Sequence, residues 1–179
     1  LLLGVGMLAP SLIPTAVHAA PQYGSLIKGS GPAVYWYATP ALGGRRHVFP
    51  DLKTFYTWFS PLDLGGVSLV SDDELASIPV GPSMTYRPGS RLIKLATDPK
   101  VYVVESGPRI RWIQTEAMAI AMYGPRWQKF VDEVPDAFFL NYEIGLPISA
   151  PGSFAATVTF TPEDTVRRLE ALRDLGLKL

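Results

Sequence analysis

A set of short strings occurs twice in this chain, in the same order, at a period of about 65 residues. Leu26-Ile27-Lys28 returns as Leu92-Ile93-Lys94, and Val34-Tyr35 as Val101-Tyr102. Arg46-His47-Val48 returns as Arg111-Trp112-Ile113, and Val70-Ser71-Asp72 as Val134-Pro135-Asp136. Leu75, Ile78 and Gly81 return as Phe139, Tyr142 and Gly145. A fold that obeys this order uses one supersecondary unit twice. The period is too long for the common solenoids and suits paired subdomains. The loop 38–44 is longer than the turn Ser106-Gly107-Pro108, which absorbs part of the drift in spacing.

Each copy reads as a small α+β unit. A short strand (26–28 or 92–95) leads to a hairpin, 34–37 with 45–49 in the first copy and 101–105 with 109–113 in the second. These segments are rich in aromatic and β-branched residues and bounded by Gly and Pro. A helix follows. Leu52, Phe55, Tyr56 and Phe59 fall on one face at helical spacing, and Thr115 is placed to cap a helix over 116–123. A second helical turn closes each copy. Ser71 and Glu74 have capping-box spacing, and Pro135 suits the first position of the later turn. Neither unit can bury a generous core alone. Two tandem repeats packed together are expected, with 84–89 as the connector.

The ends read differently. No Asp, Glu, Lys or Arg occurs before Lys28, and the apolar stretch 1–17 closes on Val17-His18-Ala19. Small residues at Val17 and Ala19 suit a signal peptidase, so 1–19 is expected to be a secretory signal peptide, clipped at its basic start. Pro10 and Pro14 make it a poor match to the roughly 20 apolar residues of a span, so no stable membrane span is expected after its removal. Retention as an anchor is the rival reading. Repeat unit 1 then covers 20–83, repeat unit 2 covers 84–146, and 147–153 is a Pro- and Ser-rich linker. A strand–helix tail fills 154–179, with a weakly alternating strand at 154–160. Its helix begins at Thr161-Pro162-Glu163-Asp164 and carries Val166, Leu169, Leu172 and Leu175 on one face. The tail either starts a further, truncated domain or docks onto the repeats.

Composition removes several kinds of chemistry. The chain has 16 Lys+Arg against 16 Asp+Glu, so it lacks the basic excess of a general nucleic-acid binder. It has no cysteine, which excludes disulfides, Cys-ligated metals and thiol nucleophiles. Its histidines are His18 and His47 alone, and His47, matched to Trp112 in the repeat, reads as a flat ring packed on a sheet. Asp72, Asp73 and Glu74 read as first-turn helix charges, and Asp132, Glu133 and Asp136 take the same reading by repetition. No Gly-x-Ser-x-Gly elbow is present, and Gly29-Ser30-Gly31-Pro32 lacks the Lys-Ser/Thr of a phosphate loop. No metal site and no cofactor is expected.

Aromatic rings are the clearest hint of binding. Tyr35, Trp36, Tyr37, Phe49, Phe55, Tyr56, Trp58 and Phe59 crowd one region, and neighbours on a strand face opposite ways. Some rings are therefore expected to face solvent as stacking surfaces, while the opposing reading places them all in the core. Trp36 and Trp58 are the first candidates for exposed ligand contacts, with Tyr35, Tyr37, Arg46, Arg111 and Trp112 beside them. Arg111 serves equally as half of a cross-strand salt bridge.

Longer strings carry a resemblance. Leu26-Ile27-Lys28-Gly29-Ser30-Gly31-Pro32-Ala33-Val34-Tyr35, Arg46-His47-Val48-Phe49-Pro50, Glu74-Leu75-Ala76-Ser77-Ile78-Pro79, Thr85-Tyr86-Arg87-Pro88-Gly89 and Asp136-Ala137-Phe138-Phe139 resemble a repeat module of exported bacterial cell-surface proteins. The resemblance covers about 25–148 and departs from the usual turns at 40–44 and 61–65. It implies an extracytoplasmic, non-catalytic module, and it carries over no catalytic residues. The expected function is a non-enzymatic surface or envelope module for attachment or domain presentation. One alternative is a module that binds carbohydrate or cell-wall polymer through exposed aromatics. Another is a hydrolase working through carboxylates. The expected partners are a cell-wall polysaccharide or a surface protein.

Overall fold

The computed structural model describes residues 20–153 and 160–176. The expected signal peptide, and the expected strand at 154–160 apart from Phe160, lie outside them. The described residues form an α+β fold with two sheets and several short helices.

The first sheet is built from β1 (Ser25–Lys28), β2 (Tyr35–Tyr37), β3 (Arg46–Val48) and β4 (Ser68–Leu69), in the order β3-β2-β1-β4. The three leading strands are antiparallel, and β4 lies parallel to β1. Between β3 and β4 runs α1 (Leu52–Trp58), capped by Asp51, whose carboxylate accepts from Thr54 N; α2 (Asp72–Ser77) follows β4.

The second sheet contains β5 (Leu92–Lys94), β6 (Val101–Val104), β7 (Arg109–Ile113), β8 (Val131–Glu133) and β9 (Glu143–Ile144), in the order β8-β5-β6-β7-β9. Here too the first three strands are antiparallel and the next, β8, is parallel to the first of them. Helix α3 (Glu116–Tyr123) joins β7 towards β8, with Thr115 capping it as expected, and α4 (Asp136–Phe139) follows β8. The last helix is α5 (Pro162–Asp174), whose Thr161 and Asp164 form a reciprocal capping box.

Matching backbone bonds close the two sheets. Val70 N donates to Lys28 O as Val134 N does to Lys94 O, both at 2.9 Å. Gly81 N reaches Arg46 O at 2.9 Å, and Gly145 N reaches Ile110 O at 2.8 Å. Met84 N reaches Val48 O, and Ile148 N reaches Trp112 O. These bonds correct one string match. Val48 stands opposite Tyr35, and Trp112 opposite Tyr102. Arg46-His47-Val48 therefore aligns with Ile110-Arg111-Trp112, one residue earlier than residue types alone indicate. By strand register the residue in the place of His47 is Arg111, so the His/Trp match does not hold, although His47 is a fully buried ring as expected.

Each sheet buries both faces. On one face of the first sheet, Leu26, Trp36, Ala38, Phe49 and Phe55 pack with Met84 and with Val166 of α5; on the other lie Ile27, Tyr37, Val70, Leu75 and Ile78. The second sheet packs Leu92, Val103, Ile113 and Ala119 with Ile148 on one face, and Ile93, Tyr102, Val104 and Ile110 with Tyr86 on the other. The connector thus places Met84 in one core and Tyr86 in another. Trp58 clamps it by donating from Nε1 to Thr85 O at 2.8 Å.

Three local expectations change. The apolar stripe of α1 is not buried as a unit: Phe55 is inside, but Leu52 and Tyr56 are 59% and 42% exposed, because the helix meets the sheet along Thr54, Phe55 and Thr57. The stretch expected as a linker is mostly exposed but anchored, since Ile148 is fully buried and Arg111 holds the carbonyls of Leu146, Pro147 and Ser153. Asp132 and Glu133 sit in strand β8 rather than capping a helix, and Asp132 takes a two-pronged bond from Arg91.

The tail helix docks onto the first sheet. Val166, Leu169 and Leu172 are buried, whereas Leu175 lies past the helix and is exposed. The long loop of the first hairpin makes a 3₁₀ turn at Pro40–Leu42, against which α5 packs. The charged pair Arg168 and Glu143, 4.0 Å apart, ties the same helix to the second sheet. Among the described residues no helix is long and apolar enough to cross a membrane.

Candidate ligand-binding cleft

The sequence candidates do not gather at one place. Trp36 is only 6% exposed, which overturns its expected role as an exposed contact: its ring lies in the first core, stacked on Phe59 with 6.0 Å between centroids. Tyr37 is buried on the opposite face, where the neighbouring Tyr23 hydroxyl and burial push its own hydroxyl up to about 12. Trp58 is half-buried and spends its indole N–H on the connector, so it too is corrected from exposed contact to clamp. Tyr35 is covered by the Arg46 guanidinium, 5.1 Å from its ring centroid, a cation–π pair on the sheet surface. Arg111 takes the salt-bridge alternative, with Nη1 2.7 Å from Glu105 Oε1.

Two of these residues line clefts: the edge of Trp36, with Leu26, Phe59 and Leu62, borders a shallow hollow of about 510 Å³, and Trp112 lines a cleft that holds a second indole. The cleft, about 360 Å³, opens where β6 begins and β7 ends. The Pro99-Lys100 turn forms one wall, and Gln114, Thr115 and Glu116 form another as the chain enters α3. Trp127, in the 3₁₀ turn Trp127–Phe130, supplies a second indole. The Lys100 ammonium lies 5.6 Å from the Trp112 ring centroid and 3.7 Å from Asp98 Oδ2. Glu116 Oε1 accepts from Gln128 Nε2 at 3.4 Å. The indole N–H of Trp127 is buried without a hydrogen-bond partner among the described residues. A buried donor left unpaired costs about 1–3 kcal/mol, which an acceptor able to reach it would recover. Two indoles line the cleft, the Trp112 ring lying under the Lys100 ammonium, and an amide and a carboxylate stand beside them. That combination suits a ligand with a flat apolar face and a hydroxyl-rich edge.

The first sheet has a cleft at the same place, about 290 Å³, lined by Pro32, Ala33, Val48, Pro50, Leu52 and Phe55 among others. Backbone pairing sets Val48 where Trp112 stands, and helix entry sets Pro50 and Leu52 where Gln114 and Glu116 stand. One location is therefore apolar in the first sheet and rich in polar groups and indole in the second.

Lys100, Gln114, Glu116 and Trp127 were not visible as a group in the sequence. Trp127 follows the Gly124-Pro125 break, so its return towards Trp112 depends on how α3 packs. The acidic residues do not meet: Asp72 accepts from Ser30 N and Oγ at 2.9 and 2.6 Å, bonds that hold its carboxyl below the usual range, while Asp132 is bound in the other sheet. Among the described residues no three His, Asp or Glu side chains gather as metal ligands. A scan against protein-family models, a search of curated proteins and a search of solved structures each return no match to this chain.

Proposed function

We propose that this protein is a non-enzymatic module of the exterior of a bacterial cell, which attaches by binding a sugar unit of a cell-wall polysaccharide. The carrying observation is the pairing of Trp112 and Trp127 in one cleft with Lys100, Gln114 and Glu116 around them. Sugar rings present an apolar face for an indole and hydroxyls for polar neighbours. Export rests on the uncharged leader ending at Val17-His18-Ala19 and on the resemblance to exported surface repeats.

We infer that the module consists of two tandem copies of one unit. Support comes from the common strand order and from the three pairs of matching backbone bonds. On that reading the two clefts are one inherited location, and the second copy carries the polar ligand chemistry.

The test is a pull-down on purified wall polysaccharide. Wild-type protein should be retained, and Trp112→Ala or Trp127→Ala should weaken binding by about 10- to 100-fold, as for buried aromatic anchors elsewhere. No retention of the wild type, or unchanged retention of Trp112→Ala, overturns the proposal. N-terminal sequencing of exported protein should begin at Ala20; cytoplasmic protein that keeps 1–19 contradicts export.

A further inference from the structure

A different cleft, about 390 Å³, lies on the seam where α1 of the first half faces the connector and strands of the second. Lys53, Tyr56 and Thr57 form one wall, and Arg87, Ser90, Arg91 and Asp132 form the other. Three cations thus meet one carboxylate. Arg91 is bound to that carboxylate through Nε and Nη2, at 2.9 and 2.8 Å, and its Nη1 has no partner among the described residues. Lys53 and Arg87 have no carboxylate within 4.0 Å among the described residues.

The backbone at Arg87 is fixed from both sides of the seam. Its N–H donates to Thr57 Oγ1 at 2.9 Å, and its carbonyl accepts from Ser90 Oγ at 2.6 Å. The seam therefore holds positive groups together although none of them, apart from the Arg91–Asp132 pair, has an acidic partner. Like charges in one cleft repel unless an anion joins them.

We propose that this seam cleft binds a phosphate dianion, either free inorganic phosphate or a phosphomonoester. The excess of two positive charges matches a dianion. Tetrahedral oxygens can be shared among an ammonium and two guanidinium groups, whose planar forks suit phosphate. The Tyr56 hydroxyl supplies one further donor. The bound group would touch both halves of the molecule and so stabilise their packing, because a ligand held only by the folded state raises its stability.

The experiment is a thermal-unfolding titration of the full chain with inorganic phosphate, with glycerol 3-phosphate, and with sodium chloride at matched ionic strength. Tm should rise saturably with at least one phosphate compound and not with chloride. A rise with inorganic phosphate alone assigns the free ion, a rise with the glycerol ester alone assigns the phosphomonoester, and a rise with both assigns the phosphoryl group itself. Lys53 and Arg87 are exposed, so the double variant Lys53→Gln/Arg87→Gln should fold normally and bind phosphate at least tenfold more weakly by equilibrium dialysis. Trp112→Ala should keep the full response, which separates this site from the sugar cleft. No rise beyond chloride, or an undiminished response in the double variant, overturns the proposal.

Discussion

The Nε2 atom of His47 lies 3.5 Å from Oε1 of Glu170, and neither atom has a hydrogen-bond partner among the described residues. Nδ1 of the same ring is 2.8 Å from Pro82 O, which can only accept, so Nδ1 carries the ring proton. In the neutral ring Nε2 then presents a lone pair to the carboxylate, and one further proton would satisfy both atoms. Burial pushes His47 down to about 4 and pushes Glu170 up. Arg173 and Arg45, 2.5 and 3.6 Å from Glu170 Oε2, oppose that rise; their contacts are ionic rather than aligned hydrogen bonds.

A pH dependence follows from His47. Its ordinary value is 6.5, so between pH 6.5 and 4 the unfolded chain binds a proton that the folded ring refuses. The stability it contributes is complete above 6.5 and is lost as pH falls towards 4, by about 3 kcal/mol in all. Glu170 acts with the opposite sign, because its raised value lets the folded state take up a proton first as pH falls. His47→Gln removes the ring titration and leaves Glu170 and the other carboxylates in place. Urea unfolding at pH 7 and pH 4 should show the wild type losing more stability than this variant. Parallel losses would refute the assignment.

Gly81 packs on the same ring. A Cβ built there would come 2.4 Å from His47 Cε1, and the ring is fully buried. Gly81→Ala must displace the ring from Glu170 and from the Pro82 carbonyl. We expect a loss of about 1–3 kcal/mol in urea unfolding, the usual range for forced repacking. An unchanged midpoint would show that the ring has room to move.

Trp36 and Trp112 should separate stability from binding. Trp36→Ala empties part of the first core and should cost about 3–5 kcal/mol. Trp112 is half-buried at the rim of a cleft, so its alanine variant should unfold near the wild-type midpoint while losing sugar binding. Denaturation and pull-down on both variants measure the contrast, and equal effects on stability would contradict it.

The two tryptophans also show how far the sequence was legible. Alternation along β2 establishes that Trp36 points away from Tyr35 and Tyr37, but both faces of that sheet are covered. Trp36 is sealed by Phe59 and α5, the latter contributed from much later in the chain, which no local pattern announces. The leading strand and hairpin of each sheet were legible from their aromatic and β-branched runs, and most helix starts because Thr115, Ser71 and Thr161 act locally, whereas the short parallel strands β4, β8 and β9 were not. The register of the third strand was misread because residue types matched where backbone bonds did not. The Trp112 cleft was half legible: its tryptophan stood out, but Lys100 and Trp127 reach it only through tertiary packing.

Arg111 is expected to act as a fastener. Its guanidinium bonds Glu105 and the carbonyls of Leu146, Pro147 and Ser153, a planar fork that lysine cannot reproduce. Arg111→Lys should release 146–153 from the sheet. Hydrogen exchange at the Ile148 amide, which donates to Trp112 O, should quicken in the variant. Unchanged protection there would show that Ile148 burial alone holds the segment.

The position of α5 has a consequence for the order of assembly. A chain that emerges N-terminus first, from a ribosome or a translocation pore, exposes β1 to β3 long before the residues of α5 appear. Until then the Trp36 face of the first sheet lacks Val166, and His47 lacks Glu170. Closing that contact joins distant parts of the chain, the kind of pairing that slows folding. The first half to emerge is therefore the last to be finished, and its apolar face must be kept from other chains in the interval.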